Sequence, residues 1–197
     1  LLNEYWTHCL CDVAILQGTR ISAHDFDNGY DKWLLGDYVT YQFGWSKVTD
    51  CHAGLAICMR HKYANSVNVS KVWVPSDPSL HGRLASIRCK NNISDVTWIP
   101  FYPPPFTSER NKKLYRRLVQ ALGRYVSTLP ERTIPVIVMD GNFRVGLQKV
   151  DGSWVAGLSE TVGGGWPEME NKPGQMMRQE LEKHFLSLAN THLDDSP

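Results

Sequence analysis

Apolar positions group along the chain into short runs of strand length, and polar turns separate these runs. The first run covers 12–17 and stops at the polar turn Gln17-Gly18-Thr19-Arg20. Further runs predict strands over the ranges 38–43, 53–59, 82–90 and 95–102. Residues 1–10 read as the end of a helix, and 21–37 read as a long loop rich in Asp, Gly and aromatic residues. Short polar connections between successive strands favour antiparallel pairing.

The second half of the chain adds two helix patterns and another strand. A helix is predicted over 108–129, with Ser108 as its N-cap and Pro130 after its end. Its apolar face consists of Leu114, Leu118, Leu122, Tyr125 and Leu129. A buried strand is predicted over 134–139. After a loop at Gly163-Gly164-Gly165, a second helix over 172–185 has the inward positions Met176, Met177, Leu181 and Phe185. Strands grouped around two helices predict an α+β fold, with packed sheets and outer helices.

Length, composition and charge place the chain among ordinary globular proteins. Its 197 residues are 42% hydrophobic and 21% charged, which fits one domain over 1–197. A formal net charge of +1 excludes a global field that attracts nucleic acid or membrane, so polyanion binding would need a local patch. No apolar run approaches the length of a membrane span.

The number and spacing of the cysteine and histidine residues limit which disulfides and metal sites the chain could form. The five cysteines are odd in number and form no C-x-x-C pair, so no disulfide framework is expected. The seven histidines are scattered without zinc-ligand spacing. Cys58 and Cys89 lie within apolar runs, where we expect them to pack as small hydrophobic side chains. This usage favours a reducing compartment, nuclear or cytoplasmic.

Two polar positions follow the predicted strand at 134–139. Asp140 and Asn142 stand two residues apart in the turn after it. A carboxylate can orient a water and an amide can hold a phosphate oxygen, so the pair is a candidate catalytic site. Asp and Asn are also favoured turn residues, and local sequence leaves both interpretations open.

The predicted helix at 108–129 carries a basic face opposite its apolar one. This face consists of Arg110, Lys112, Lys113, Arg116 and Arg117. Such a cluster can contact a phosphate backbone, which makes DNA a candidate partner. An ordinary solvated helix face is the commoner explanation of such a pattern.

Six segments in a fixed order resemble the endonuclease/exonuclease/phosphatase superfamily, and in particular the endonuclease domain of non-LTR (LINE-type) retrotransposons. They are CDVAILQGTR, AGLAICMRHK, GRLASIRCK, DVTWIPFYPPP, PVIVMDGNFRVG and KHFLSLANTHLDD. The resemblance covers nearly the whole chain. It implies two packed, mainly antiparallel sheets flanked by helices, and we expect this sandwich to be incomplete at both termini.

The resemblance also implies roles for individual residues. Asp140 corresponds to the aspartate that orients or activates the attacking water, and Asn142 to its partner near the phosphate. Tyr102 corresponds to the tyrosine beside the phosphate, although a strand-end aromatic is an equally simple interpretation. The family's Gln-Glu-Thr pattern reads Gln-Gly-Thr here, so Gly18 replaces the glutamate that is the main Mg²⁺ ligand. No metal ligand is therefore assigned, although Mg²⁺ is the family's cofactor.

The sequence thus predicts a degenerate or fragmentary relative of Mg²⁺-dependent DNA endonucleases with impaired catalysis. The alternative is a scaffold or subunit that keeps only the fold. In that case an open sheet edge would pair with another protein chain.

Overall fold

The computed structural model describes residues 11–24, 26–48, 51–155, 159–163 and 168–192. The predicted helix at 1–10 lies outside these described residues. Contacts divide the chain into two compact units. The first contains the described residues of Leu1–Pro103 and Leu129–Gly141, and the second those of Pro104–Thr128 and Asn142–Pro197. The single domain over 1–197 stays a prediction.

The first unit contains a four-stranded antiparallel sheet in the order β1-β4-β3-β2. Its strands are β1 Val13–Gln17, β2 Asp31–Leu35, β3 Tyr38–Phe43 and β4 Leu55–Arg60. Val13 lies opposite Met59 in the pairing of the edge strand β1 with β4. The predicted loop at 21–37 is wrong over β2, whose first four residues are exposed and whose apolar run, Trp33 to Leu35, is too short to predict a strand. Gly36, at φ +56°, begins the two-residue turn that joins β2 to β3.

A second four-stranded sheet of the same unit has the order β5-β6-β7-β8. Its strands are β5 Asn68–Trp73, β6 Ser86–Lys90, β7 Asp95–Phe101 and β8 Ile134–Met139. Within this sheet the expected antiparallel pairing holds except between β7 and β8, which are parallel, with Val96 opposite Ile134. A parallel pair needs a long crossover, and the chain from 102 to 133 supplies it. The helix α1, His61–Ser66, and the strand β5 were not predicted.

The core of the first unit is formed by side chains from both of these sheets. Phe43, Leu55 and Ile57 from the first sheet and Ile87 and Cys89 from the second are at most 1% exposed. Burial raises the pKa of the Cys89 thiol to about 11, so this cysteine is a packing residue. Cys58 is buried as well, which confirms the expected role of both.

The strand β8 is less buried than its apolar sequence predicts. Ile134 is 59% exposed and Val138 is 37% exposed, so the prediction of a buried strand is wrong for these two positions. The physical reason is that β8 is an edge strand, paired only with β7 among the described residues. The pairing of this edge with a partner chain stays a prediction.

The second unit consists of two α-helices and a small three-stranded sheet. The helices are α2 Glu109–Val126 and α3 Lys172–Lys183, and the strands are β9 Gly146–Val150, β10 Ser153–Val155 and β11 Glu168–Met169. Ser108 caps α2 as predicted, because its side chain accepts a hydrogen bond from the Asn111 amide. The small sheet, of order β10-β9-β11, was not predicted.

The apolar faces of the two helices agree with the predicted ones, with one exception. Leu118, Leu122, Met177 and Leu181 are all at most 3% exposed. Phe185, predicted to face inward, is 97% exposed. The helix α3 ends at Lys183, and Phe185 has the left-handed φ of +55°, so it no longer continues the helical face.

These observations confirm the α+β prediction with two packed, mainly antiparallel sheets. None of the helices within the described residues is long and apolar enough to cross a membrane. Incompleteness of the sandwich at the termini stays a prediction.

Candidate functional site

The carboxyl ends of β1, β7 and β8 meet at one place in the first unit, and the side chain of Gln17 connects them. Its Nε2 donates a hydrogen bond to the Val138 carbonyl at 2.9 Å and a longer one to the Phe101 carbonyl at 3.4 Å. Its Oε1 accepts a hydrogen bond from the Asp140 amide at 2.7 Å. One amide side chain therefore fixes the positions from which Tyr102 and Asp140 extend.

Gly18 follows Gln17 at this site and has the left-handed φ of +69°. A Cβ atom built there would lie 3.4 Å from the Tyr102 hydroxyl and 3.7 Å from the His52 carbonyl oxygen. These are ordinary van der Waals distances, so there is room for a Cβ, but the backbone conformation disfavours any L side chain. A side chain at position 18 would start beside the phenol of Tyr102.

Tyr102 is held by Arg83, which is only 3% exposed. The Tyr102 amide donates to the Arg83 carbonyl at 2.8 Å, and the Arg83 Nη1 donates to the Tyr102 carbonyl at 3.0 Å. The guanidinium carbon also lies 5.4 Å from the centroid of the phenol ring. A buried cation therefore fixes both the backbone and the ring of Tyr102, and it adds positive charge close to the site.

The loop after Gly18 is fixed by backbone hydrogen bonds to the segment before β4. The amides of Thr19 and Arg20 donate to the carbonyls of Gly54 at 3.1 Å and Ala53 at 3.0 Å. Gln42, which is buried, donates from Nε2 to the Thr19 hydroxyl at 2.7 Å. Gly54, at φ +115°, has no side chain that would collide with this hydroxyl. The left-handed conformation of Gly18 thus belongs to a well-bonded loop.

Of the predicted catalytic residues, the structure brings two to this site. The half-buried Tyr102 lies beside position 18, and the exposed Asp140 begins directly after β8 with its amide on Gln17. Asn142 is exposed, belongs to the second unit and has a φ of +49°, which asparagine tolerates better than most residues. A catalytic role for each of the three stays a prediction.

The donor set at the site does not fit the Mg²⁺ ion that the resemblance implies. Mg²⁺ is typically held by one or two carboxylates, together with water and substrate phosphate. Gly18 supplies no carboxylate at the position of the expected main ligand, and Asp140 is the acidic residue that the described part of the chain is seen to place at this site. Within the described ranges, no three His, Cys, Asp or Glu side chains are grouped so that they could hold a metal ion.

The predicted basic face is present on α2 in the second unit. Arg110, Lys113 and Arg117 form one row of exposed side chains on the helix, and Lys112 and Arg116 form the row beside it. Lys112 pairs with Glu109 at 2.7 Å, and the Arg116 guanidinium lies 5.8 Å from the Phe106 ring. The face therefore keeps a strong excess of positive charge. Whether it binds nucleic acid stays a prediction.

Two residues of the site were missed in the sequence. Gln17 is the polar residue that closes an apolar strand, which is a weak signal, but its three partners come from residues 101, 138 and 140. Arg83 gives no local signal, because it stands near the start of the predicted strand at 82–90, as surface arginines commonly do. Its importance is visible only once its contacts with Tyr102 are known.

Comparison with known proteins identifies the fold. No protein-family model matches the sequence, and no similar curated protein was found. Among solved structures, the AP endonuclease LMAP from Leishmania major matches with a TM-score of 0.60 and 11% identity, over 93% of this chain and 60% of that one. An AP endonuclease from Archaeoglobus fulgidus matches with a TM-score of 0.47 and 18% identity, over 93% of this chain and 64% of that one.

A third solved structure is D. rerio TDP2 complexed with single-strand DNA product, with a TM-score of 0.48 and 12% identity, over 73% of this chain and 52% of that one. The chain thus spans less than two thirds of the length of each of these three proteins. The match to LMAP establishes the endonuclease/exonuclease/phosphatase fold, which confirms the predicted superfamily resemblance at the level of fold. The specific resemblance to retrotransposon endonucleases stays a prediction.

Proposed function

We propose that this chain is a catalytically impaired relative of the Mg²⁺-dependent DNA endonucleases. One observation carries the proposal: the position that corresponds to the main metal ligand holds Gly18 at φ +69°. The carboxylate is absent, and the backbone there disfavours any side chain that could replace it. The proposal therefore rests on the local conformation as well as on the residue identity.

The chemistry supports the same conclusion. Hydrolysis of a phosphodiester needs positive charge on the phosphate and a base that prepares the attacking water. Asp140 can orient a water through its carboxylate, and the Tyr102 phenol can donate a hydrogen bond to a phosphate oxygen. Arg83 is buried and bonded to the Tyr102 backbone, so its guanidinium is poorly placed to bind the phosphate directly. The chain thus keeps candidate groups that could prepare the attacking water, but it lacks the carboxylate that would hold a metal ion at the phosphate.

Nicking of supercoiled DNA tests this proposal. The purified chain and its Asp140→Ala variant are incubated with plasmid and Mg²⁺, and circular dichroism checks that both are folded. We expect both proteins to leave the plasmid equally intact. Equal residual nicking by both would indicate a contaminant and agree with the proposal. Mg²⁺-dependent nicking that Asp140→Ala abolishes would overturn it.

Nucleic-acid binding without cleavage is a second function, which we infer from the basic face of α2. Five cations lie on this face of the helix, and Glu109 is the acidic residue in its first turn. Each cation that neutralises a phosphate releases counterions, so binding would be weak at physiological salt and steeply salt-dependent. Such binding does not require the missing carboxylate at position 18.

Fluorescence anisotropy with a labelled DNA oligonucleotide at several salt concentrations tests this function. We expect the double variant Lys113→Glu/Arg117→Glu to weaken binding. The slope of the logarithm of the binding constant against the logarithm of salt concentration should become shallower by the equivalent of about two phosphate contacts. The variant Lys62→Glu/Lys71→Glu makes the same charge change on exposed positions of the first unit and serves as control. Equal affinities of the two double variants, or no binding at low salt, would contradict it.

A further inference from the structure

A cavity of about 470 Å³ lies in the first unit and has no role in the proposed function. Tyr41 and Met59, from β3 and β4, line one wall, and Val72 from β5 lines another. Tyr41 is 5% exposed and Met59 is 1% exposed, so the cavity reaches the apolar core. Its volume falls within the range of pockets that bind small organic molecules.

The cavity is separated from the candidate site by the topology of both sheets. Lys32 of β2 and Asn68 of β5 lie on its rim. In the first sheet β2 is the edge opposite β1, and in the second sheet β5 is the edge opposite β8. The candidate site lies at the ends of β1 and β8. The cavity therefore lies at the other edges of the two sheets and constitutes a separate site.

The described residues that line the cavity carry charge of one sign only. The Lys32 ammonium lies 5.3 Å from the centroid of the Tyr41 ring and has no carboxylate partner among the described residues. No acidic side chain in the described part of the chain lines the cavity, whereas Asn65 and Asn68 add amide groups to its rim. An unpaired ammonium beside an apolar wall is complementary to a molecule with one anionic group and an apolar body.

We propose that this cavity binds a small aromatic carboxylate. The ring would pack against the half-buried lining residues Tyr30, Val69 and Val72, where it replaces water on apolar surface. The carboxylate would pair with the Lys32 ammonium at the rim, and the amides of Asn65 and Asn68 would complete its hydrogen bonding. Planar rings and tyrosine side chains attract each other in tilted or offset arrangements, which favours an aromatic body over an aliphatic chain.

Titration of the ¹⁵N-labelled full chain with 2-naphthoate tests the proposal. We expect saturable shifts of the Asn65 and Asn68 side-chain amide signals, with a Kd of about 1 mM or below. The neutral analogue 2-naphthamide and the variant Lys32→Met should each weaken binding roughly fivefold, as expected for the loss of an exposed ion pair. Lys62→Met removes an exposed lysine of α1 that does not line the cavity, and it should leave the Kd unchanged.

A second variant tests the location of the site. Ala64→Trp fills the cavity from α1, and we expect it to abolish the shifts while the remaining amide spectrum stays folded. The absence of saturable binding in the millimolar range would overturn the proposal. Equal binding of 2-naphthoate and 2-naphthamide would overturn it as well, since the Lys32 charge would then have no role.

Discussion

At the residue scale, position 18 is limited by its backbone as much as by its missing side chain. Gly18 has a φ of +69°, and the amides of Thr19 and Arg20 that follow it are bonded to the segment before β4. A left-handed conformation costs an L residue roughly 1–2 kcal/mol. Returning a carboxylate to this position by one substitution would therefore also strain the loop that carries it.

Substitution at Gly18 measures this strain. We expect Gly18→Ala to lower the free energy of unfolding by about 1 kcal/mol, because the Cβ itself meets only ordinary contacts. Gly18→Asn should cost less, since asparagine adopts the left-handed region more readily. Urea denaturation of the three proteins provides the measurement. An alanine variant as stable as the wild type would show that the loop does not require this conformation.

Asp95 makes a pH-dependent contribution to stability. Arg88 donates two hydrogen bonds to its carboxylate, at 2.7 and 2.6 Å, and these hydrogen bonds lower the pKa of Asp95 below its usual range. A lowered pKa in the folded state means that the unfolded chain binds the proton more readily. The stabilisation is thus fully present above about pH 4 and is lost as the pH falls through the folded-state pKa.

Thermal unfolding between acidic and neutral pH tests this contribution. We expect Asp95→Asn to lower the free energy of unfolding at neutral pH by about 1–3 kcal/mol, because Arg88 loses a charged partner. Its melting temperature should also fall less steeply below about pH 4 than that of the wild type. Asp27→Asn, at an exposed aspartate, is the control. Parallel pH profiles of wild type and Asp95→Asn would contradict the assignment.

At the element scale, hydrophobic periodicity predicts those strands and helices that bury a continuous face. The bounds of β3 and β8 match their predicted ranges, and α2 lies within its predicted range. The strand β2 was missed because four of its five residues are exposed. It is held in place by its pairing with β3 rather than by burial. Local hydrophobic patterns predict elements that bury one face. They do not predict strands that are stabilised mainly by pairing with neighbouring strands.

Contacts between elements explain why the site could be predicted only in part. Strand ends are visible in sequence, which is how Asp140 was found, whereas Tyr102 was predicted from the family resemblance. The residues that hold them were not found, because Gln17 reaches Asp140 across 123 positions and Arg83 reaches Tyr102 across 19. Such pairings depend on strand order, which periodicity does not encode.

The connection made by Gln17 gives a test at this scale. We expect Gln17→Ala to lower the free energy of unfolding by about 1–2 kcal/mol, since its hydrogen bonds are partly open to water. Hydrogen exchange of the Asp140 amide should become faster, because its acceptor is lost. Gln120→Ala, at an exposed position of α2, should change neither quantity. Unchanged exchange at Asp140 would show that Gln17 does not fix the end of β8.

At the scale of the whole molecule, the chain passes between the two units more than once. The first unit is completed by Leu129–Gly141, which contains β8 and follows the whole of α2 in sequence. The parallel pair β7–β8 can therefore form only after the chain has traversed part of the second unit. A unit that is discontinuous in sequence favours folding of the whole chain as one domain, as the sequence predicts.

Cooperative unfolding decides between one domain and two. Ile57 and Leu122 are at most 1% exposed and belong to the cores of the first and second unit, respectively. Truncation of either residue to alanine should cost about 2–5 kcal/mol. If the chain is one domain, urea denaturation followed by circular dichroism and by tryptophan fluorescence gives one coincident transition. Ile57→Ala and Leu122→Ala then each shift the whole of this transition.

The variant Val48→Ala, at a residue that is 58% exposed, is the control and should leave the midpoint nearly unchanged. Two transitions, each shifted by only one of the core variants, would show that the two units are separate domains, because a local loss of packing would then leave the other unit folded.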